Sequence, residues 1–438
     1  MTELMTERIP CRREGCSNTI LPATAAKTGG ICMPCKQEIE REEHREYIEA
    51  NRRDVNLYEG VTDPVEILKI MHTHHVRDEL IRYIPYGYSK EQVFLSLSAE
   101  QQAVMVEYAM DLIRTEDADT GKDILVALVC YHGISLSEQI PELLAHEIYY
   151  PAILYKSASP EVRDQLLQQV NTDDENRNLL LLMLAYIGDD IVVQQFQQWK
   201  QSPPPWADQL YIAAEQYATE AGWELTTEGK RRMLFTTPSY SLFVVDEKKS
   251  ATTTSGGEPI SMLVNSSDYC PWCSRELTIL ASLDAHHPAL REVSWKAEKL
   301  QVQTCMSCSC YGVVYMEMSA EGEPVWSAHN VMPMGVDEID AEDHDPFTLD
   351  TAPHYHIATK PRNPYHGSEW ANEPSLSQIG GHPGWVQDAE YATCPSCSTR
   401  MKAVGQVNGE ELAEYGEGMY YMLLCEPCQM TAVTYQQS

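Results

Sequence analysis

The chain has 438 residues, 43% of them hydrophobic, and its 65 acidic against 32 basic side chains leave a formal charge of -33. That length exceeds a single hydrophobic core, so two or three domains are expected, and the negative field disfavours nonspecific binding to nucleic-acid phosphate. The opening MTELMTERIP lacks an apolar signal core and the longest apolar run, LLLLMLAYI, is too short to cross a bilayer, which points to the cytoplasm. In a reducing compartment the 14 cysteines read as metal ligands rather than disulfides. Twelve of them fall into three sets of four, leaving Cys130 and Cys310 over.

The first set, Cys11, Cys16, Cys32 and Cys35, has the spacing C-x4-C-x15-C-x2-C. A module this small cannot bury enough apolar surface to fold alone, whereas structural zinc can supply roughly 10 to 16 kcal/mol of coupled folding energy. A zinc knuckle over residues 1–36 is therefore expected, with a redox dithiol as the alternative. The following KQEIEREEHREYIEANRRD reads as a helix polar nearly all round, a solvated connector or an acidic docking helix.

Residues 63–223 read as helical, with no strand pattern. In NRNLLLLMLAYIGDDIVVQQFQQW, Leu180, Met183, Leu184 and Ile187 share one helical face. Gly188 should end that helix and Asp189 or Asp190 cap the next, whose apolar face carries Val192, Phe196 and Trp199. Two such helices at a Gly-Asp corner resemble a HEAT-type repeat, and residues 122–144 are a looser second copy, so residues 37–225 are expected to form a helical array; a plain bundle is the other reading. His72 and His75 are one turn apart but lack a third ligand at a fixed offset, and Cys130 reads as a small buried hydrophobe. SPPPW at residues 202–206 precedes a predicted last helix over 206–223. KRRMLFTTPSYSLFVV then reads as strand, and a domain boundary is placed near 225–255.

The second set is Cys270, Cys273, Cys305 and Cys308; the third is Cys394, Cys397, Cys425 and Cys428. In each a Cys-Pro-x-Cys pair opens the unit, a second Cys-x2-Cys follows after 31 or 27 residues, and a strand pattern leaves it. The repeat reads as an internal duplication carrying two zinc ribbons, and each closed four-thiolate set as structural. Three structural zinc ions per chain are expected. Cys310 reads as a spare thiol beside a complete set. Between the copies lies the densest acidic run, Asp337, Glu338, Asp340, Glu342, Asp343 and Asp345, either a solvated loop or the receiver of a cationic patch on a protein partner. His344, His354 and His356 read as ordinary polar residues, and GGHPGW at residues 380–385 as a turn packing backbone closely beneath an aromatic ring.

SQIGGHPGWVQ, then CPSC, GEGMYYMLLCEPC and a final YQQ, resembles the YwqG-like family of bacterial domains over residues 239–438. Ile379, Gly380, Gly381, Pro383, Trp385 and Gln387 fall where that family's glycine-rich signature would place them, and Gly418, Tyr420 and Tyr421 match its later strand. The resemblance implies an α+β domain of two similar β-rich halves, which two zinc ribbons elaborate here. The fold expected for the whole chain is thus multidomain α+β. Joined to helical repeats in an acidic chain, such a domain looks like the immunity proteins that neutralise polymorphic or type VI secretion toxins, by analogy of architecture. No G-x-S-x-G, HExxH or P-loop motif occurs, and every obvious ligand set is closed. A protein that binds a basic toxin domain, rather than a nucleic-acid binder, is the expected function, with a zinc-stabilised adaptor as the first alternative and an enzyme with an unrecognised site as the second.

Overall fold

The computed structural model describes residues 8–115, 117–245, 257–336, 354–370, 373–411 and 417–437. The chain divides into two compact units, Met1–Ser89 and Lys90–Ser438. The second spans the 225–255 segment at which the sequence predicts a domain boundary, because its helices and its sheet pack together.

In the first unit a short hairpin, β1 (Ile9–Pro10) and β2 (Thr19–Ile20), leads into α1 (Pro22–Thr28) and α2 (Met33–Asn51). Of α2 only Cys35 is buried, as its all-round polarity requires. Next come β3 (Arg53–Val55), α3 (Pro64–His72), capped by the Asp63 carboxylate on the Val65 amide at 3.1 Å, and β4 (Ile81–Tyr83). β3 and β4 pair in parallel, so the region expected to be free of strands contains one. Three residues are too few to show a period in sequence. Across the pair Arg82 donates to both Asp54 oxygens at 2.8 and 2.6 Å.

The second unit begins with α4 (Lys90–Leu95), α5 (Ala99–Arg114), α6 (Ala118–His132), α7 (Ile140–Ala145) and α8 (Pro160–Gln169). α9 (Arg177–Ile187) ends at Gly188 in the left-handed conformation, and the Asp189 side chain accepts from the Val192 amide at 2.9 Å to start α10 (Asp190–Gln201). That is the corner the sequence predicts, with Val192, Phe196 and Trp199 buried. The predicted helix over 206–223 is corrected to two short 3-10 segments, Pro205–Gln209 and Ala214–Thr219. Between them Leu210 is extended and Tyr211 fully exposed, so no continuous apolar face holds a helix together. Among the described residues no helix is long and apolar enough to cross a membrane.

The strands follow as a hairpin of β5 (Trp223–Leu225) and β6 (Arg231–Met233), then β7 (Tyr240–Val244), β8 (Gly257–Pro259), β9 (Ser261–Tyr269), β10 (Glu276–Asp284), β11 (Lys299–Thr304), β12 (Val314–Met318), β13 (Pro324–Trp326), β14 (Tyr355–Ala358), β15 (Gln378–Ile379), β16 (Lys402–Asn408), β17 (Met419–Cys425) and β18 (Met430–Gln436). Nine form one antiparallel sheet in the order β13-β12-β18-β17-β16-β15-β7-β14-β8, and β11-β10-β9 form a second. All seven residues of β17 are buried. Tyr420, Met422 and Leu424 join a core with Leu280, Leu300 and Val302 of the smaller sheet, while Met419, Tyr421 and Leu423 join Phe235, Trp385 and Met401 on the other face. A strand covered on both faces reads in sequence as the unbroken apolar run MYYMLLC.

The duplicated sequence has a duplicated path. From each opening Cys pair the chain runs through two antiparallel strands, β10 and β11 or β16 and β17, to the second Cys pair and out along β12 or β18. Those two exit strands are neighbours in the large sheet, with Val314 opposite Val433. The signature at residues 379–387 supports this sheet: a Cβ on Gly380 (φ 68°) would lie 2.3 Å from the Pro238 carbonyl oxygen, so only glycine fits. Trp385 beyond it packs 4.2 Å from the Tyr421 ring.

Candidate metal centres

Each predicted set of four cysteines converges, its four sulfurs lying within 4.8 Å of one another. Neighbouring sulfurs stand 3.7 Å apart for Cys16 and Cys32, 3.7 Å for Cys270 and Cys308, 3.5 Å for Cys273 and Cys305, and 3.6 Å for Cys397 and Cys425. A disulfide would bring sulfurs to about 2.05 Å. An ion held tetrahedrally at about 2.3 Å from four thiolates instead requires edges of about 3.8 Å. The spacing fits four thiols around one metal ion, and each set is able to hold one.

The second and third sets are built by the same turn. The Cys270 amide donates to the Arg275 carbonyl and the Ser274 amide to the Cys270 carbonyl, at 2.8 and 2.9 Å; the Cys394 amide donates to Thr399 and the Ser398 amide to Cys394, both at 2.8 Å. Ser274 and Ser398 share the left-handed conformation, φ 61° and 59°. This loop turns both thiols of each pair to one side. The first set uses other means. Cys32 and Cys35 sit at the start of α2, and the Cys32 amide donates to the Cys11 sulfur at 3.2 Å while the Asn18 amide group donates to Cys32 at 3.5 Å.

These donors favour thiolate. The Cys35 backbone amide, helped by Asn18, brings the Cys32 thiol down to about 6, whereas Cys35, hydrogen-bonded by Cys32 and Cys16, is pushed up to about 12. A thiol that is pushed up, as Cys35 is, gives up its proton when a cation binds, so metal binding and proton release are linked.

Surroundings separate the second set from the third. Cys270, Cys305 and Cys308 are closed into an apolar cluster with Leu277, Val314, Met316 and Val336, capped by Trp272 and Trp326 edge to face at 4.9 Å. The third set opens on both sides: Cys425 lines a cleft of 620 Å³, Cys428 a groove of 880 Å³, and Pro427 borders both.

The remaining candidates fall outside these centres. Cys310 is exposed, and its thiol donates to the Met306 carbonyl at 3.4 Å. Cys130 is buried 3.8 Å from the Ser368 hydroxyl, and burial pushes its thiol up. His72 closes α3, while His75 is exposed with its Nε2 3.2 Å from the Ile70 carbonyl; among the described residues neither joins a metal-binding group. His356 lies on β14 beside Phe243. The acidic run at residues 337–345, with His344, lies outside the described residues.

Two polar clusters escaped the sequence reading. Glu91 on α4 meets His366 Nε2 at 2.5 Å and accepts from the Ser375 hydroxyl at 2.5 Å, with Arg362 3.9 Å away. Burial opposes its ionisation, but His366, Ser375 and Arg362 outweigh it and hold the carboxyl below its usual range. The second cluster is Glu224 with Arg232 and Arg400 beside the third centre. Its only sequence signals are the basic runs KRR at residues 230–232 and TRMK at 399–402.

Three four-thiol centres, two of them built by one repeated turn, define an α+β protein able to hold three metal ions. The chain belongs to the family of a protein of Salmonella typhimurium described as "Uncharacterized protein YpfL", to which it is 36% identical over 439 residues, covering 99% of this chain and 100% of the relative. No family model matches the chain, and no solved structure does.

Proposed function

We propose that this is a zinc-braced binding protein of the cytoplasm that neutralises a secreted bacterial toxin by covering its active or substrate-binding surface, in the manner of immunity proteins. Zinc is the ion assigned to the three centres, since four thiolates with tetrahedral edges suit it and a closed set leaves no open position for catalysis. The helices of residues 90–201 are read as HEAT-like pairs and residues 239–438 as a YwqG-like domain.

The observation that carries the reading is an exposed apolar loop. Val331 and Met334 are 82% and 96% exposed, and the loop rests on Tyr311 and Gly312 through Gly335 and Pro333. Large apolar side chains held in solvent support a contact with another protein, and methionine adapts to the shape it meets. In sequence this loop runs straight into the six carboxylates at residues 337–345. Apolar anchors beside acid suit a basic partner, which a nuclease-like or otherwise phosphate-binding toxin would be, and such pairing is fast and salt-sensitive.

Coexpression with the toxin encoded beside this chain tests the reading. Copurification and rescue of growth are expected, and Met334→Asp should weaken the complex at least about tenfold while leaving metal content intact. Failure of the wild type to copurify and to rescue would end the proposal. Recovery of a housekeeping complex without any toxin would favour an adaptor instead.

A further inference from the structure

The 620 Å³ cleft beside the third centre carries a charge arrangement that metal bracing does not need. Glu224 and Arg232 are opposite partners on β5 and β6, and Arg232 donates through Nε and Nη2 to Glu224 Oε1 at 2.9 and 2.5 Å. Arg400, just beyond the knuckle turn, donates through Nη1 to the other Glu224 oxygen at 3.3 Å, and Arg232 Nη2 also reaches the Arg400 carbonyl at 2.7 Å. One carboxylate, 17% exposed, thus holds two guanidinium groups side by side. Lys402 adds a third cation, paired with Glu426 at 3.1 Å.

Three cations therefore face two carboxylates in a chain whose acids outnumber its bases 65 to 32. At physiological salt the Debye length is about 8 Å, so the cleft's own groups and not the distant acids set its local field. Charge balance for the thiolates does not account for Arg400. Cys397 and Cys425 draw backbone amides from Thr399 and Cys428, and the Thr399 hydroxyl lies 3.0 Å from the Cys397 sulfur, whereas the guanidinium of Arg400 goes to Glu224. Among the described residues Arg232 Nη1 and Arg400 Nε and Nη2 make no hydrogen bond to protein. The hydroxyls of Thr227, Thr393 and Ser398 line the same cleft, all exposed.

We propose that this cleft binds a small phosphorylated polyol, its phosphate on the paired guanidinium groups of Arg232 and Arg400 and its hydroxyls on the threonines and serine. Held in advance by one carboxylate, Arg400 keeps its Nε and Nη2 fork and Arg232 its Nη1 for an acceptor, donors of the geometry a phosphate accepts. The cleft volume lies in the range of small-molecule sites. The proposal is independent of the toxin-binding reading.

Calorimetric titration of full-length, metal-loaded protein at about 0.15 M ionic strength tests it, with glucose 6-phosphate, inorganic phosphate and glucose as probes. Saturable binding of glucose 6-phosphate is expected, weaker binding of inorganic phosphate and none of glucose. Arg400→Gln should weaken glucose 6-phosphate binding at least about tenfold with metal content and melting unchanged, and Lys299→Gln in the neighbouring groove should not. No saturable binding of either anion, or unchanged affinity in metal-replete Arg400→Gln, overturns the site. Inorganic phosphate binding as tightly as the sugar phosphate overturns the polyol part. Should Arg400→Gln shed metal, Lys402→Met is the second variant, and metal loss there too would assign the cations to thiolate charge and overturn the proposal.

Discussion

The second and third four-cysteine centres share a turn, a left-handed serine and a following strand, yet three cysteines of the second lie in an apolar cluster beside two tryptophans while the third borders a cleft and a groove. The difference teaches that duplication kept the ligand geometry, which the chemistry of the ion dictates, and left the surroundings free to diverge. Both copies can hold an ion; of the two sets, the third is the one whose cysteines border a cleft and a groove with polar walls.

The strongest way to break this comparison is to remove a ligand from each copy. Cys394 and Cys425 are 0% and 3% exposed, and Cys270 and Cys305 are both 1% exposed, so serine at any of these leaves a buried hydroxyl and three thiolates that hold an ion poorly. Each substitution should cost on the order of 3–5 kcal/mol or more and lower the melting temperature of the second unit severely. Unchanged melting at Cys394→Ser or Cys425→Ser would show that these thiols only fill the core.

A smaller effect separates the two centres. Under excess chelator the third should release its ion at least about tenfold faster than the second, because reaching it requires less local opening. Metal release followed in the wild-type protein after chelator addition should show these centres as separate phases; equal rates would remove the distinction. The smallest effect checks the shared turn. Ser274→Gly and Ser398→Gly should each stabilise by about 0.5 kcal/mol, relief of the left-handed strain exceeding the loss of unfolded-state restriction. Opposite signs at the two positions, read from denaturant melts, would show that the turns are not equivalent.

Much of this was legible because it is local. Cysteine spacing sorts the twelve cysteines into the three sets that converge, Gly188 and Asp189 mark their corner, and the repeated Cys-Pro-x-Cys reveals the duplicated path. What was not legible joins residues far apart or too few to show a period. β3 and β4 are three residues each, bridged by Arg82 and Asp54. Arg400 meets Glu224 across 176 positions and His366 meets Glu91 across 275, so no spacing rule connects them. The stretch at 206–223 has helical composition, but Trp206, Ala214, Tyr217 and Ala218 are buried by turns of 3-10 helix on either side of an exposed Tyr211 and Ile212.

Whether three four-thiolate centres hold the fold is tested most directly by metal content. Elemental analysis of full-length protein prepared without chelator should give three zinc ions per chain. One or none would contradict the account.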